Sequence, residues 1–207
     1  MLEQSLFELD PLPDTFNPYT QRNPEVDRVD AVAIRRANLA RYFEACDDRP
    51  LLFLLAEAPG PWGCRFSGVP ITSEAQLLDP SFPIDGAQSS LREEAYSEYS
   101  ANIFWGLLQD AFPKFVVWNA FPLHPYRPGK PFTIRPPRRT ELRRFEELTA
   151  RLIEVFAPRR VLSVGRKAER TLSEISVDAT YVRHPSQGGA TLFREGVQKA
   201  LKEVRDG

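Results

Sequence analysis

Scarce residue types bound the chemistry before the plentiful ones do. The 207 residues include two cysteines, Cys46 and Cys64, two histidines, His124 and His184, and a single methionine. Two distant cysteines supply neither a disulfide framework nor a clustered metal spacing, which fits a reduced cytoplasmic compartment. Together with two histidines they make a poor zinc site. No apolar run approaches the roughly 20 residues of a membrane span. The start, MLEQSLFELD, lacks the basic flank and apolar core of a signal peptide. The expectation is a soluble intracellular protein. No P-loop, Gly-x-Gly-x-x-Gly or Gly-x-Ser-x-Gly pattern occurs, so the sequence offers no phosphate cradle of those kinds and no serine elbow. An excess of one charge is missing as well. The 27 Lys and Arg against 28 Asp and Glu leave a net charge of −1, without the overall basicity that phosphate neutralisation favours.

What is present points to one ordered domain over 1–207. The length suits a single hydrophobic core, and most of the 19 prolines fall between periodic segments, where they mark ordered loops. Residues 1–30, polar and proline-punctuated, read as an extended arm on the domain surface. Charge is unevenly spread. Acids crowd the amino terminus and residues 74–98, while Arg127, Lys130, Arg135, Arg138, Arg139, Arg143 and Arg144 gather in one short region. That basic run is either a solvated face or a phosphate-facing patch.

Hydrophobic periodicity predicts a helix over 31–46, with Ile34, Leu39, Tyr42 and Phe43 near one face. LLFLLAE at 51–57 is too uniformly apolar for a half-exposed edge and suits a central parallel strand. Further helices are expected over 91–111, 141–156, 167–175 and 191–204, and strands over 115–121, 159–165 and 179–186. In the 141–156 helix, Leu142, Phe145, Leu148, Leu152 and Val155 form one stripe, with Thr140 as N-cap. Alternating strands and helices imply an α/β three-layer sandwich around a central, mostly parallel four-stranded sheet.

In such a sheet the strand ends emerge on one edge, where ligands bind. Three of those ends read AEAPG, WNAFPLHP and RHPSQGG, so Glu57, Asn119 and His184 should converge; the remaining strand ends in VGRKA. Each stretch alone is compatible with plain turn structure. Together they place a carboxylate for water, an amide that reads a donor and acceptor pair, and a histidine that stabilises a developing anion. The set favours hydrolysis of a bond whose leaving group is a planar, hydrogen-bonding anion.

The order AEAPG, WNAF, HPS resembles the uracil-DNA glycosylase superfamily over about residues 50–200. The first motif is most similar to the GEAPG form of the family-4 type, with Ala56 in place of the first glycine. The resemblance implies a monofunctional DNA glycosylase of base excision repair that flips a damaged base from DNA into a pocket. It implies a monomer in the cytoplasm, nucleoid-associated when acting, with DNA as partner. By the same resemblance Glu57 and His184 are the catalytic pair, Glu57 for the water and His184 for the leaving anion. Asn119, Ala58, Gly60, Phe66 and Ile71 are implied to surround the base. Ala58 stands where GQDPY-like members carry their acid, and Ile71 where a stacking phenylalanine is expected, with Phe66 as its substitute. Gly60 stands where strict members place a bulky residue against the thymine methyl, which implies an open wall. At the minor groove Ser186 and the Gly188 and Gly189 amides would meet phosphates and Gln187 or Leu192 would act as wedge, while Arg166 and Lys167 would hold a further phosphate. The family-4 iron-sulfur cysteines are missing, so no metal cluster and no other cofactor is expected. The residues leave two alternatives open: a damaged-DNA binder without turnover, and a small-molecule enzyme acting on a nucleoside or nucleotide.

Overall fold

The structure, a computed structural model, describes residues 3–206. A short wide helical turn, Glu3–Phe7, precedes β1 (Thr15–Phe16), α1 (Ala31–Ala45), β2 (Leu52–Ala56), α2 (Cys64–Ser67), α3 (Glu74–Leu77) and α4 (Tyr99–Leu108). Then come β3 (Phe115–Asn119), β4 (His124–Pro125), α5 (Arg139–Arg143), α6 (Glu146–Phe156), β5 (Arg160–Val164), α7 (Arg166–Glu174), β6 (Thr180–Val182) and α8 (Ala190–Asp206). Four strands form a parallel sheet in the order β3-β2-β5-β6, flanked by helices in a three-layer α/β sandwich.

The apolar run of β2 is buried at every residue, as a strand covered on both faces must be. On the outer edge of β3, Tyr42 from α1 closes the backbone: its hydroxyl receives the Val117 N–H at 2.6 Å and lies 3.1 Å from the Val117 carbonyl. An exposed ladder edge is thereby satisfied by one side chain.

Three expectations are corrected. The amino-terminal segment is no surface arm: Leu6 and Asp27 are fully buried and β1 pairs with β4. The Asn17 amide donates to Leu6 O and Tyr19 OH to Gly68 O, so this segment ties together parts of the chain far apart in sequence. Helix α4 begins at Tyr99, because the backbone of 89–96 is spent elsewhere. The Glu74 carboxylate accepts the N–H groups of Ser89 at 2.6 Å, Ser90 at 2.9 Å and Tyr96 at 3.4 Å. The long 141–156 helix is two, with Thr140 inside α5 and Arg138 capping it through the Glu141 carboxylate. Leu142, Phe145, Leu148 and Leu152 are buried as the stripe predicts, but Val155 is exposed.

Candidate functional site

The register of β2 against β3 pairs Ala56 with Asn119, so the Glu57 turn and the asparagine leave the sheet side by side. Two backbone bonds join the turns, Ala120 N–H to Ala56 O at 2.8 Å and Phe121 N–H to Glu57 O at 3.0 Å. On the far side of β2, β5 ends at Gly165, whose φ of +91° suits only glycine. This bend lets α7 start at once. It brings Lys167 Nζ to 3.1 Å from Glu57 Oε1, with both side chains about one third exposed, at 34% and 36%. A Cβ on Gly165 would lie 3.6 Å from His184 Cβ. Glu57, Asn119, Lys167 and His184 therefore occupy the carboxyl edge of one sheet.

His184 is held by its own loop. The Ser186 backbone N–H donates to Nδ1 at 3.2 Å, and the Ser186 hydroxyl lies 2.8 Å from the same nitrogen. A backbone N–H can only donate, so Nδ1 is an acceptor and the neutral ring carries its proton on Nε2. Burial, with Arg183 nearby, pulls the His184 pKa below its usual value. The neutral ring therefore carries its donor at Nε2.

The Asn119 side chain is buried, and its one protein partner among the described residues is the Cys64 thiol at 3.9 Å. Burial pushes the Cys64 thiol pKa up, so the sulfur remains a neutral, weak acceptor. Most of the amide's hydrogen-bonding capacity is therefore open.

The other base-site expectations divide. Ala58 is half-buried in the turn beside Glu57. Phe66 is fully buried, with the Arg65 guanidinium 3.9 Å over its ring and Tyr96 stacked at 4.1 Å, so its faces are closed to a base. Ile71 is half-buried with φ of +45°, a strained conformation for a β-branched residue. Trp105 Nε1 holds its carbonyl at 3.0 Å. The wall at Gly60 is not open: a Cβ there would lie 2.7 Å from Glu98 Oε1. Nothing local marked Glu98 beforehand, since it sits in an acid-rich stretch that reads as surface charge.

Around His184 the loop forms a knuckle. Gly189 N–H donates to Ser186 O at 3.1 Å, and the two central residues, Gln187 and Gly188, have φ of +53° and +74°, as in a type I′ turn. Gln187, Gly188 and Leu192 are exposed, while Gly189 is buried and leaves no room for a Cβ beneath the His184 carbonyl. Among the expected phosphate contacts, Ser186 is engaged by His184 and Lys167 by Glu57. Arg166 pairs with Glu169 at 2.8 Å and covers Tyr181 at 4.1 Å while staying exposed. Three members of the basic run are ion-paired too: Arg135 and Arg138 to Glu141, Arg138 also to Asp14, and Arg139 to Glu174.

Depressions lined by Arg159, Arg160, Glu203 and Val204, and by Asp178 to Thr180, lie at the amino-terminal edge of β5 and β6 and include none of these residues. Among the described residues, no three His, Cys, Asp or Glu side chains gather as metal ligands, and no helix is long and apolar enough to cross a membrane.

No protein-family model and no curated protein sequence matches the chain. Among solved structures, the chain is similar to wild-type SMUG2 of Pedobacter heparinus. The TM-score is 0.65 at 14% identity, over 100% of this chain and 97% of that one. The two proteins share a fold.

Proposed function

We propose that the protein is a monofunctional DNA glycosylase that hydrolyses the N-glycosidic bond of uracil or a related deaminated base in DNA. The observation that carries this reading is the neutral His184, with its Nε2 proton fixed by Ser186, on the same sheet edge as an almost unpartnered Asn119 amide and the Glu57 carboxylate. The fold shared with SMUG2, a uracil-DNA glycosylase-fold protein, and the order AEAPG, WNAF, HPS support it.

In this reading a flipped base meets Asn119, whose amide accepts from one edge position and donates to the next. Uracil and cytosine exchange donor and acceptor along that edge, so a fixed amide prefers one of them. As the glycosidic bond breaks, negative charge collects on the leaving base. His184 donates to it from Nε2, a donor already oriented before the reaction begins. The sugar becomes positive, and Glu57 faces that charge and orients the attacking water. Lys167 holds the carboxylate in place. Gln187 on the exposed knuckle, or Leu192 in the first turn of α8, enters the space a flipped base vacates. The protein acts as a monomer in base excision repair, in the cytoplasm or on the nucleoid.

The test is base release from uracil-containing single-stranded and duplex oligonucleotides, scored as alkali-labile sites, for wild type, Glu57→Ala and Glu57→Gln. Release by wild type that drops in both variants is expected. One observation favours a second reading, a damaged-DNA binder without turnover: Lys167 already pairs with Glu57, and Ala58 offers no acid in its place. Tight binding of the same DNA with no release would select that reading.

A further inference from the structure

A second acid, half-buried, stands beside the candidate site. Glu98 is the residue just before α4, yet its carboxyl does not cap that helix. It lies over the 60–63 turn, against Gly60 and Gly63, and both glycines are buried where any Cβ would collide with it. Gly63 leads directly into Cys64, whose thiol is the neighbour of the Asn119 amide. One continuous wall thus runs from Glu98 across the turn to Asn119.

The carboxyl is poorly provided for. Glu98 Oε1 accepts the Ser100 hydroxyl at 2.6 Å, while among the described residues Oε2 receives no donor and no Lys or Arg forms an ion pair with it. Burial raises the pKa of Glu98, which favours the neutral form. With no cation paired to it among the described residues, the half-buried carboxyl is placed over the turn by fit against the two glycines rather than by an ion pair. The glycines make the space, and the carboxyl fills it.

We propose that Glu98 is a specificity-determining residue of the base site, its carboxyl forming the wall over Gly60 and Gly63 that limits the substituents a bound base can carry. This rests on the glycosylase reading. The wall would exclude bulk by occupying the space a ring substituent needs and would tolerate a small planar base.

The experiment compares uracil with 5-hydroxymethyluracil, which differ in one ring substituent, in otherwise identical single-stranded oligonucleotides. Single-turnover release of both bases is measured for wild type, Glu98→Gln, Glu98→Asp and Glu98→Ala. Glu98→Ala opens the wall and should raise the 5-hydroxymethyluracil to uracil ratio by about tenfold or more, the scale on which pockets discriminate one small group. Glu98→Asp withdraws the carboxyl by one methylene while supplying a favoured N-cap residue, so it folds and should move the ratio in the same direction by less. Glu98→Gln keeps the shape and should keep the wild-type ratio. Wild-type release with a ratio unchanged in both Glu98→Ala and Glu98→Asp overturns the role of Glu98 and leaves the glycosylase reading intact. A wild type that releases neither base overturns the glycosylase reading and this inference with it.

Discussion

Two polar clusters meet at α2, one through Arg65 and one through Cys64, and they are built on opposite principles. In the first, every oxygen is occupied. Asp27 Oδ1 receives Arg65 at 2.8 Å, and Oδ2 receives Arg35 at 3.4 Å and the Asn23 N–H at 2.8 Å. The Glu74 carboxylate takes two serine N–H groups, a serine hydroxyl and the Tyr96 N–H. In the second, Asn119 has one thiol at 3.9 Å and Glu98 one hydroxyl. A saturated network rigidifies what it binds, whereas polar groups with open capacity can take on a new partner. The first cluster holds the 89–96 segment in place; in the proposed reading the second receives the base.

The sharpest way to break this contrast is at Asp27. Asp27→Ala strands two buried guanidinium groups and should lower unfolding stability by about 3–5 kcal/mol in urea titrations. Asn119→Ala should do the reverse. It removes almost no protein hydrogen bond, so stability should change by less than about 1 kcal/mol while uracil release falls between about 5-fold and 150-fold, the value of a base-reading pair. Ser186→Ala is smaller still. The Ser186 backbone N–H continues to fix the His184 tautomer, so release should fall by less than about tenfold.

The pH profile sharpens the same comparison. The pKa of His184 lies below the usual 6.5, and the ring works as a neutral donor. Release should therefore stay flat from pH 8 down through 6.5 and fall only in more acid solution. An imidazolium donor would show the opposite, with release rising as pH falls toward 6.5. The stability sign agrees: the folded state holds this proton less tightly than the unfolded chain, so the histidine costs no stability above 6.5 and weakens the fold as pH drops below it.

The fold was legible where a residue pattern had one structural solution. LLFLLAE and FVVWNAF carry continuous apolar runs and RRVLSVG a short strand ending in glycine, and their alternation with helices leaves a parallel sheet as the outcome. The edge convergence of Glu57, Asn119 and His184 follows from that topology. Segments whose backbone is claimed by distant side chains were not legible. Residues 91–98 have helical composition, yet Glu74 and Gln88 take their peptide groups. Asp27 looked like one more loop acid, although two arginines from distant elements close on it. Glu98 escaped for the same reason, since a carboxylate meant for solvent and one buried over glycines look alike in sequence. The phenyl ring of Phe66 was assigned to a base because sequence spacing cannot show that Arg65 and Tyr96 already cover it.

The most direct measurement is single-turnover uracil release by wild type and His184→Ala, with the unfolding transition of both proteins recorded alongside. Removal of one preorganised donor should slow release by about 100- to 1,000-fold while the unfolding midpoint stays in place. Absence of release in the wild type, or equal release by the two proteins, would contradict the assignment of this sheet edge as a glycosylase site.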